Sequence, residues 1–361
     1  MLMILRLSLV LLLTLAFPAT FAWAQWVPAE CADTDVACAT KAGQDHVVKK
    51  LAFWKRALSL PVEARMAAAP PELVDFLRLD NIAQSIQNRP RVPVLALEFE
   101  REAMAAFDEL PRAVKDQLAT KLVGIYFIED IGGTGYTDVV YDPSGNPVAG
   151  FIVLDPSVLQ KLTANGWATW KENTPFKASA DFRLSAEIEA ESQDTRKNAI
   201  QYILLHEMAH VISIGGNIHP SWNVEPREIA SFSPYPFFRL SWKHSQDRNS
   251  YVSLFDGAFP QRKDVVYYFG ARLPAEKMVG TYENLERTNF VTLYGATRPG
   301  DDFAEAFASY VHTVLMKRPF SIRIYHNEKQ VKTYEACWNR PRCAAKQQII
   351  QQLLAAKVSA N

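Results

Sequence analysis

The sequence predicts an α+β fold: a mostly helical domain with a small sheet and hairpin set before one central helix, plus an N-terminal helical region. Three observations carry this. Apolar residues recur at three- and four-residue spacing between Asp35 and about Gln87. A β-branched and aromatic run at Val123–Ile128 is followed by two short apolar stretches around a turn. A third segment, Ala199–Leu205 with Val211–Ile214, is apolar almost all the way round, as in a helix buried through a domain centre.

Taken in order, residues 1–24 read as an export signal. Arg6 supplies the positive region, Leu7 to Phe17 the apolar core, and Ala22-Trp23-Ala24 a small-x-small cleavage site before Gln25. An apolar core of about eleven residues is too short to span a bilayer of about 30 Å. No cysteine directly follows the cleavage site, and no later segment is long and apolar enough to cross a membrane. The expected location is therefore periplasmic or secreted, without a stable membrane span.

Residues 25–93 form the N-terminal helical region, cut by Pro61, Pro70 and Pro71. Val47, Leu51, Trp54 and Leu58 make a packing stripe. Arg89-Pro90-Arg91-Val92-Pro93 is a connection, and residues 94–361 are the main domain. Leu95 to Leu122 is helical, broken near Leu110-Pro111, and leads into the strand at Val123–Ile128. Gly132, Gly133 and Gly135 punctuate a turn with no long helix after it, so no phosphate cradle is expected. Asp138–Tyr141 and Val148–Leu154 flank Asp142-Pro143-Ser144-Gly145-Asn146 as a hairpin, whose edge either pairs with an extended chain or serves structure alone.

Gly215-Gly216 ends the central helix. From Gly216 to Ala296 the chain is rich in Pro, aromatic and polar residues, and loops with short elements shaping a cleft are expected. A second clear helix runs from about Pro299 to Lys317, with Phe303, Phe307, Val311, Val314 and Leu315 on its apolar side; a last one spans about Ala344 to Lys357. There is no internal repeat.

Lys+Arg and Asp+Glu are both 39, so the formal charge is zero. A balanced chain gives no electrostatic case for nucleic acid or an anionic membrane as partner. Four cysteines fall in two local pairs, Cys31 with Cys38 and Cys337 with Cys343. In an exported protein this is a disulfide pattern with three formal connectivities, local pairing being the first choice. The rival reading makes the Cys31 thiolate a metal-bound latency switch.

His206-Glu207-Met208-Ala209-His210 lies inside the central helix. Histidines four apart share a helix face one turn apart, so both reach a single metal ion, while Glu207 is turned to meet a water beside it. Burying these groups without a partner is costly, and a divalent cation pairs with them at once. A catalytic zinc takes a third protein ligand. His219 comes nine residues past His210, whereas the extended pattern needs a glycine three and a histidine six residues on, positions held by Ser213 and Gly216. Glu225 and Glu228 lie outside any buried-helix pattern. Asp301 and Glu305 are four apart on the second clear helix: one can bind the metal while the other accepts the spare N–H of a ligand histidine. The competing reading puts Asp302 to Glu305 in a helix capping box. His312 is roughly 16 Å along the helix from Asp301, too far for the same ion.

These residues resemble the zincin metallopeptidases of the gluzincin type. The stretch Tyr294 to Phe307 is similar to the catalytic motif of anthrax lethal factor and of bacterial putative zinc-binding metallopeptidases. The resemblance covers only this stretch and the HEMAH helix. It implies a zincin-like domain in which His206, His210 and Asp301 hold Zn²⁺, Glu305 supports a ligand histidine, and Tyr294 assists the tetrahedral intermediate. Asp301 stands where the family has glutamate, so either the helix sits closer or Glu305 takes the metal instead. The implied activity is peptide-bond hydrolysis with Glu207 as general base, acting on a protein or peptide substrate. The alternatives are a zinc-stabilised binding protein without turnover and a metal hydrolase of another cell-envelope polymer.

Overall fold

The computed structural model describes residues 27–160 and 162–356. The predicted export signal lies outside them. With 47% helix and 17% strand in small separate sheets, the fold is α+β, as predicted.

Helix α1 (Val36–Asp45) is capped by Asp35, whose carboxylate accepts from the Cys38 amide at 2.9 Å, and the Cys31–Cys38 disulfide ties it to the preceding segment. Helix α2 (Leu51–Leu58) presents the expected stripe, with Val47, Leu51, Trp54 and Leu58 all in one apolar cluster. Within the region predicted to be helical, Met66–Ala68 instead form strand β1. Pro61, Pro70 and Pro71 favour extended backbone on their N-terminal sides, and Met66–Ala68 find pairing partners in Ile125–Phe127. Helix α3 (Pro71–Ala83) then starts with proline in its first turn, where the missing N–H costs nothing.

Helices α4 (Leu97–Asp108) and α5 (Arg112–Leu118) break at the expected Leu110-Pro111 and lead into β2 (Leu122–Phe127). Strands β3 (Gly135–Tyr141) and β4 (Pro147–Leu154) form the predicted hairpin, in register from Gly135 opposite Leu154 to Val140 opposite Ala149, after which a bulge sets Tyr141 opposite Pro147. The sheet order is β1-β2-β4-β3, parallel except for the edge strand β3. Period-two alternation makes this sheet a partition. Leu122, Ile125, Phe127, Ile152 and Leu154 enter the large core, whereas Val123, Tyr126, Phe151 and Val153 enter a second core with Trp54, Leu73, Phe76 and Leu77.

Helices α6 (Pro156–Leu159) and α7 (Ala164–Asn173) and strand β5 (Phe182–Glu187) precede α8 (Arg196–Ser213), the motif helix. The Thr195 hydroxyl caps α8 at its start, and from Asn198 to Ser213 every residue but His210 is buried. Its end is fixed twice. Gly215 takes φ +65°, which glycine adopts without strain, and the Lys121 ammonium donates to the carbonyls of Ile212 at 2.7 Å and Ile214 at 2.6 Å.

The stretch expected to hold loops and short elements contains α9 (Pro236–Arg239), the ribbon β6 (Trp242–Ser245) with β7 (Ser250–Ser253), and one regular helix, α10 (Met278–Glu286). Helix α11 (Pro299–Tyr310) continues as a π turn over Val311–Leu315. Strands β8 (Ser321–His326) and β9 (Lys329–Glu335) join β5 in an antiparallel sheet of order β5-β8-β9. Helix α12 (Ala344–Ala355) follows the Cys337–Cys343 disulfide. Both disulfides are the local ones, so Cys31 has no thiolate to offer a metal, and the latency reading falls. Among the described residues no helix is long and apolar enough to cross a membrane.

Candidate metal centre

Helices α8 and α11 pack directly on each other, and their crossing brings together the groups the sequence set almost a hundred residues apart. Helical spacing places His206 and His210 on the face of α8 toward α11, with their Nε2 atoms 3.2 Å apart. Asp301 Oδ1 lies 3.9 Å from His206 Nε2 and 3.6 Å from His210 Nε2. A tetrahedron with bonds of about 2.1 Å has edges of about 3.4 Å, so the three donor atoms fit three corners around one small divalent ion. They form the group suited to a metal among the described residues. Thr297 donates to the other carboxylate oxygen, Asp301 Oδ2, at 3.2 Å, which leaves Oδ1 facing the histidines.

The short reach of aspartate is met by proximity. A Cβ added at Gly295 would come within 3.4 Å of Glu305 Cβ, and one at Gly300 within 3.8 Å of the His210 ring. Gly295 thus lets the turn before α11 pack closely on α11 itself, and Gly300 sits in ordinary contact with the His210 ring. Glu305 sits behind the donor set. Its Oε1 lies 2.9 Å from His206 Nδ1 and 2.7 Å from the buried Lys171 ammonium on α7. It caps no helix end, so the capping-box reading does not hold; Asp302 is likewise committed elsewhere, accepting from Trp242 Nε1 at 3.0 Å and pairing with the buried Lys346 of α12.

Glu207 is buried on the adjoining side of α8 and accepts from the Thr137 hydroxyl of β3 at 2.7 Å. Gly135, at the start of the same strand, has no side chain for a reason: a Cβ there would stand 2.5 Å from Glu207 Oε1. Tyr294 stacks on His206, with ring centroids 5.6 Å apart, and Lys171 Nζ lies 4.7 Å from the Tyr294 ring centroid. His206, Glu207, Tyr294 and Glu305 all line one cavity of about 190 Å³.

The electrostatics divide these groups. Burial alone would push Glu305 up, but the Lys171 charge and the hydrogen bond to His206 hold it well below the usual carboxylate range. Burial pushes His206 down, yet Glu305 reverses the sign and leaves it raised. His210, deprived of such a partner and facing His206, is pushed far down by burial. Burial raises Glu207 and Asp301, and it holds the Tyr294 hydroxyl protonated far above its ordinary value, with Asp301 adding to the effect.

The remaining candidates do not join the donor group, although the His219 ring comes near His210, both meeting Trp222. His219 is buried with Nδ1 2.8 Å from the Pro220 carbonyl, Glu225 accepts from Asn249, Glu228 is exposed, and His312 Nε2 is 2.6 Å from the Ile188 carbonyl. Lys171, Thr137 and Gly135 were not foreseen. A lysine in the same helical stripe as Trp167 was the one trace of Lys171 in the sequence; the contacts of the other two depend on how β3 crosses α8. Comparisons with protein-family models, curated proteins and solved structures return no match.

Proposed function

We propose that the chain is an exported zinc-dependent metallopeptidase of the zincin type, hydrolysing peptide bonds with Glu207 as general base. One observation carries the reading: His206 Nε2, His210 Nε2 and Asp301 Oδ1 converge on one point, with Glu207 beside them at the wall of a cavity. Two imidazoles and a carboxylate are the donor chemistry of catalytic zinc, and zinc held there would lower the pKa of a water to about 7 and polarise a carbonyl.

The chain's own residues supply the rest. Glu207, aimed by Thr137 and raised by burial toward the working pH, takes a proton from the attacking water and returns it to the leaving amine. Tyr294, held protonated, donates to the developing oxyanion. Edge strand β3 lies over α8 and offers its outer edge to an extended peptide. Two disulfides and the composition of residues 1–24 support export.

Metal analysis beside cleavage of casein and a peptide library tests the proposal. Wild type should carry one zinc per chain and cleave; Glu207→Gln should keep the zinc and lose turnover. Full activity in that variant sinks the mechanism, and zinc binding without any cleavage by wild type makes the chain a zinc-stabilised binding protein. A second reading, hydrolysis of another cell-envelope polymer, draws on the partly exposed Trp170, Trp222 and Phe269, since Phe269 lines the cavity and Trp222 meets the His210 ring edge-on. Isolated cell wall in the same assay separates it from the first.

A further inference from the structure

The walls of the cavity beside Glu207 differ in how firmly they are built. Helix α3 supplies one, where Asp80, pushed up to about 6 by burial and the Asp138 charge, accepts from Gln84 Nε2 at 2.6 Å. Another comes from the irregular segment between Tyr267 and Leu273, of which Tyr268 and Phe269 line the cavity. Both ends of this segment are pinned. The Tyr267 hydroxyl donates to the buried Glu172 at 3.0 Å, and Leu273 makes main-chain hydrogen bonds to Pro175 at 3.1 Å and with Lys177 at 2.8 Å. Between the pins, among the described residues, the chain makes one main-chain hydrogen bond, from the Phe269 amide to the Tyr267 carbonyl at 2.8 Å.

That bond closes a three-residue turn with Tyr268 at its centre, at φ +68°. A turn of this size with positive φ is the rare, strained form, and a bulky side chain is an outlier there. Such strain persists only where the surroundings hold it. Here side chains do so: the Tyr268 ring meets those of Trp170 and Tyr294, with centroids 5.6 and 6.2 Å away, and its hydroxyl reaches the Thr134 hydroxyl just before β3. Phe269 is 70% exposed, and Gly270 takes φ +92° with open space around it, the conformational freedom a hinge needs.

We infer that Tyr268 is a plug on a hinged strap, residues 268–272, which closes the cavity and must swing out before an extended peptide can settle along β3 against Glu207. Position decides this role. Tyr268 meets both Tyr294, the donor to the oxyanion, and Thr134, the residue before the strand edge, so a peptide that reaches both displaces its ring. Closed, the strap is strained and packed; open, Tyr268 relaxes to negative φ in solvent, which makes the segment a two-state element. The inference rests on the peptidase reading for its ligand.

Fluorine NMR on the full exported chain carrying 3-fluorotyrosine at position 268 reads the two states, a soluble gadolinium chelate telling a ring in solvent from one in the cavity. Wild type should give a shielded ring. Thr134→Val, which removes the latching hydroxyl and keeps its shape, should raise the open fraction about five-fold, the worth of one neutral hydrogen bond. Gly270→Ala, which penalises the closed backbone, should move the signal the same way and serves if the first variant fails to fold. A ring already exposed in wild type, or one that neither variant frees, overturns the inference. On a cleaved peptide, Thr134→Val should lower KM by about the same factor with kcat unchanged, because apparent affinity scales with the open fraction. An unchanged or raised KM overturns the plug alone; a plug that opens in a chain that cleaves nothing sinks peptidase activity alone.

Discussion

Asp301 and Glu305 lie one helical turn apart and do different work because of what stands behind each. Asp301 faces the two histidines, while Glu305 is anchored by Lys171 and faces the far nitrogen of His206. Removing Asp301 should therefore reduce zinc affinity more than neutralising Glu305. We expect Glu305→Gln to weaken zinc binding by about 10–100-fold, the usual effect of losing a group that orients a ligand histidine. Competition against a chelator would rank the two, and a larger loss for Glu305→Gln than for Asp301→Ala would make Glu305 the ligand. Neutralising Glu305 also leaves Lys171 buried without its carboxylate, a change that costs about 3–5 kcal/mol in comparable pairs. The melting temperature should fall even with zinc absent. The two acids were readable as a pair on one helix face. Their division of labour came only from the resemblance and stayed open between the two, because it is set by Lys171, which comes from α7 and shares no local pattern with either.

At the scale of elements, the site is the crossing of α8 with α11 under strand β3. Leu204 is fully buried on α8, and Leu204→Ala should cost about 2–5 kcal/mol, read as a shift in the urea midpoint. Gly135 marks how closely β3 passes over Glu207. Gly135→Ala should displace the Glu207 carboxylate and lower turnover at least roughly ten-fold while zinc content stays unchanged, because only the proton-transferring group is moved. If zinc is lost instead, the strand supports the metal ligands and not the base. The hairpin and α8 were legible since their periods and turn residues are local. The pairing of β5 with the β8–β9 hairpin was not: it joins segments more than a hundred residues apart, and nothing in a short window encodes that register.

For the molecule as a whole, the Asp80 carboxyl predicts how stability varies with pH. Its folded value of about 6 lies above the ordinary value of about 4, so the folded state holds this proton more tightly than the unfolded chain does. Below pH 4 the group is protonated in both states and makes no difference. Between pH 4 and 6 the unfolded chain ionises first and stability falls, by about 3 kcal/mol once pH exceeds 6. Asp80→Asn should remove this part of the slope, raising the melting temperature at pH 7.5 relative to wild type and leaving it nearly unchanged at pH 4. An unaltered difference between the two pH values would refute it. The four-stranded sheet separates two apolar cores. Strands β2 and β4 feed both, and β1, from the N-terminal region, pairs with β2. That region cannot act as a detachable prosegment. A nick in the exposed connection around Arg89–Val94 should leave both fragments associated, migrating together on a native gel and parting only on denaturation. Maturation by clipping off the first helices would dismantle the wall on which the motif helix is built.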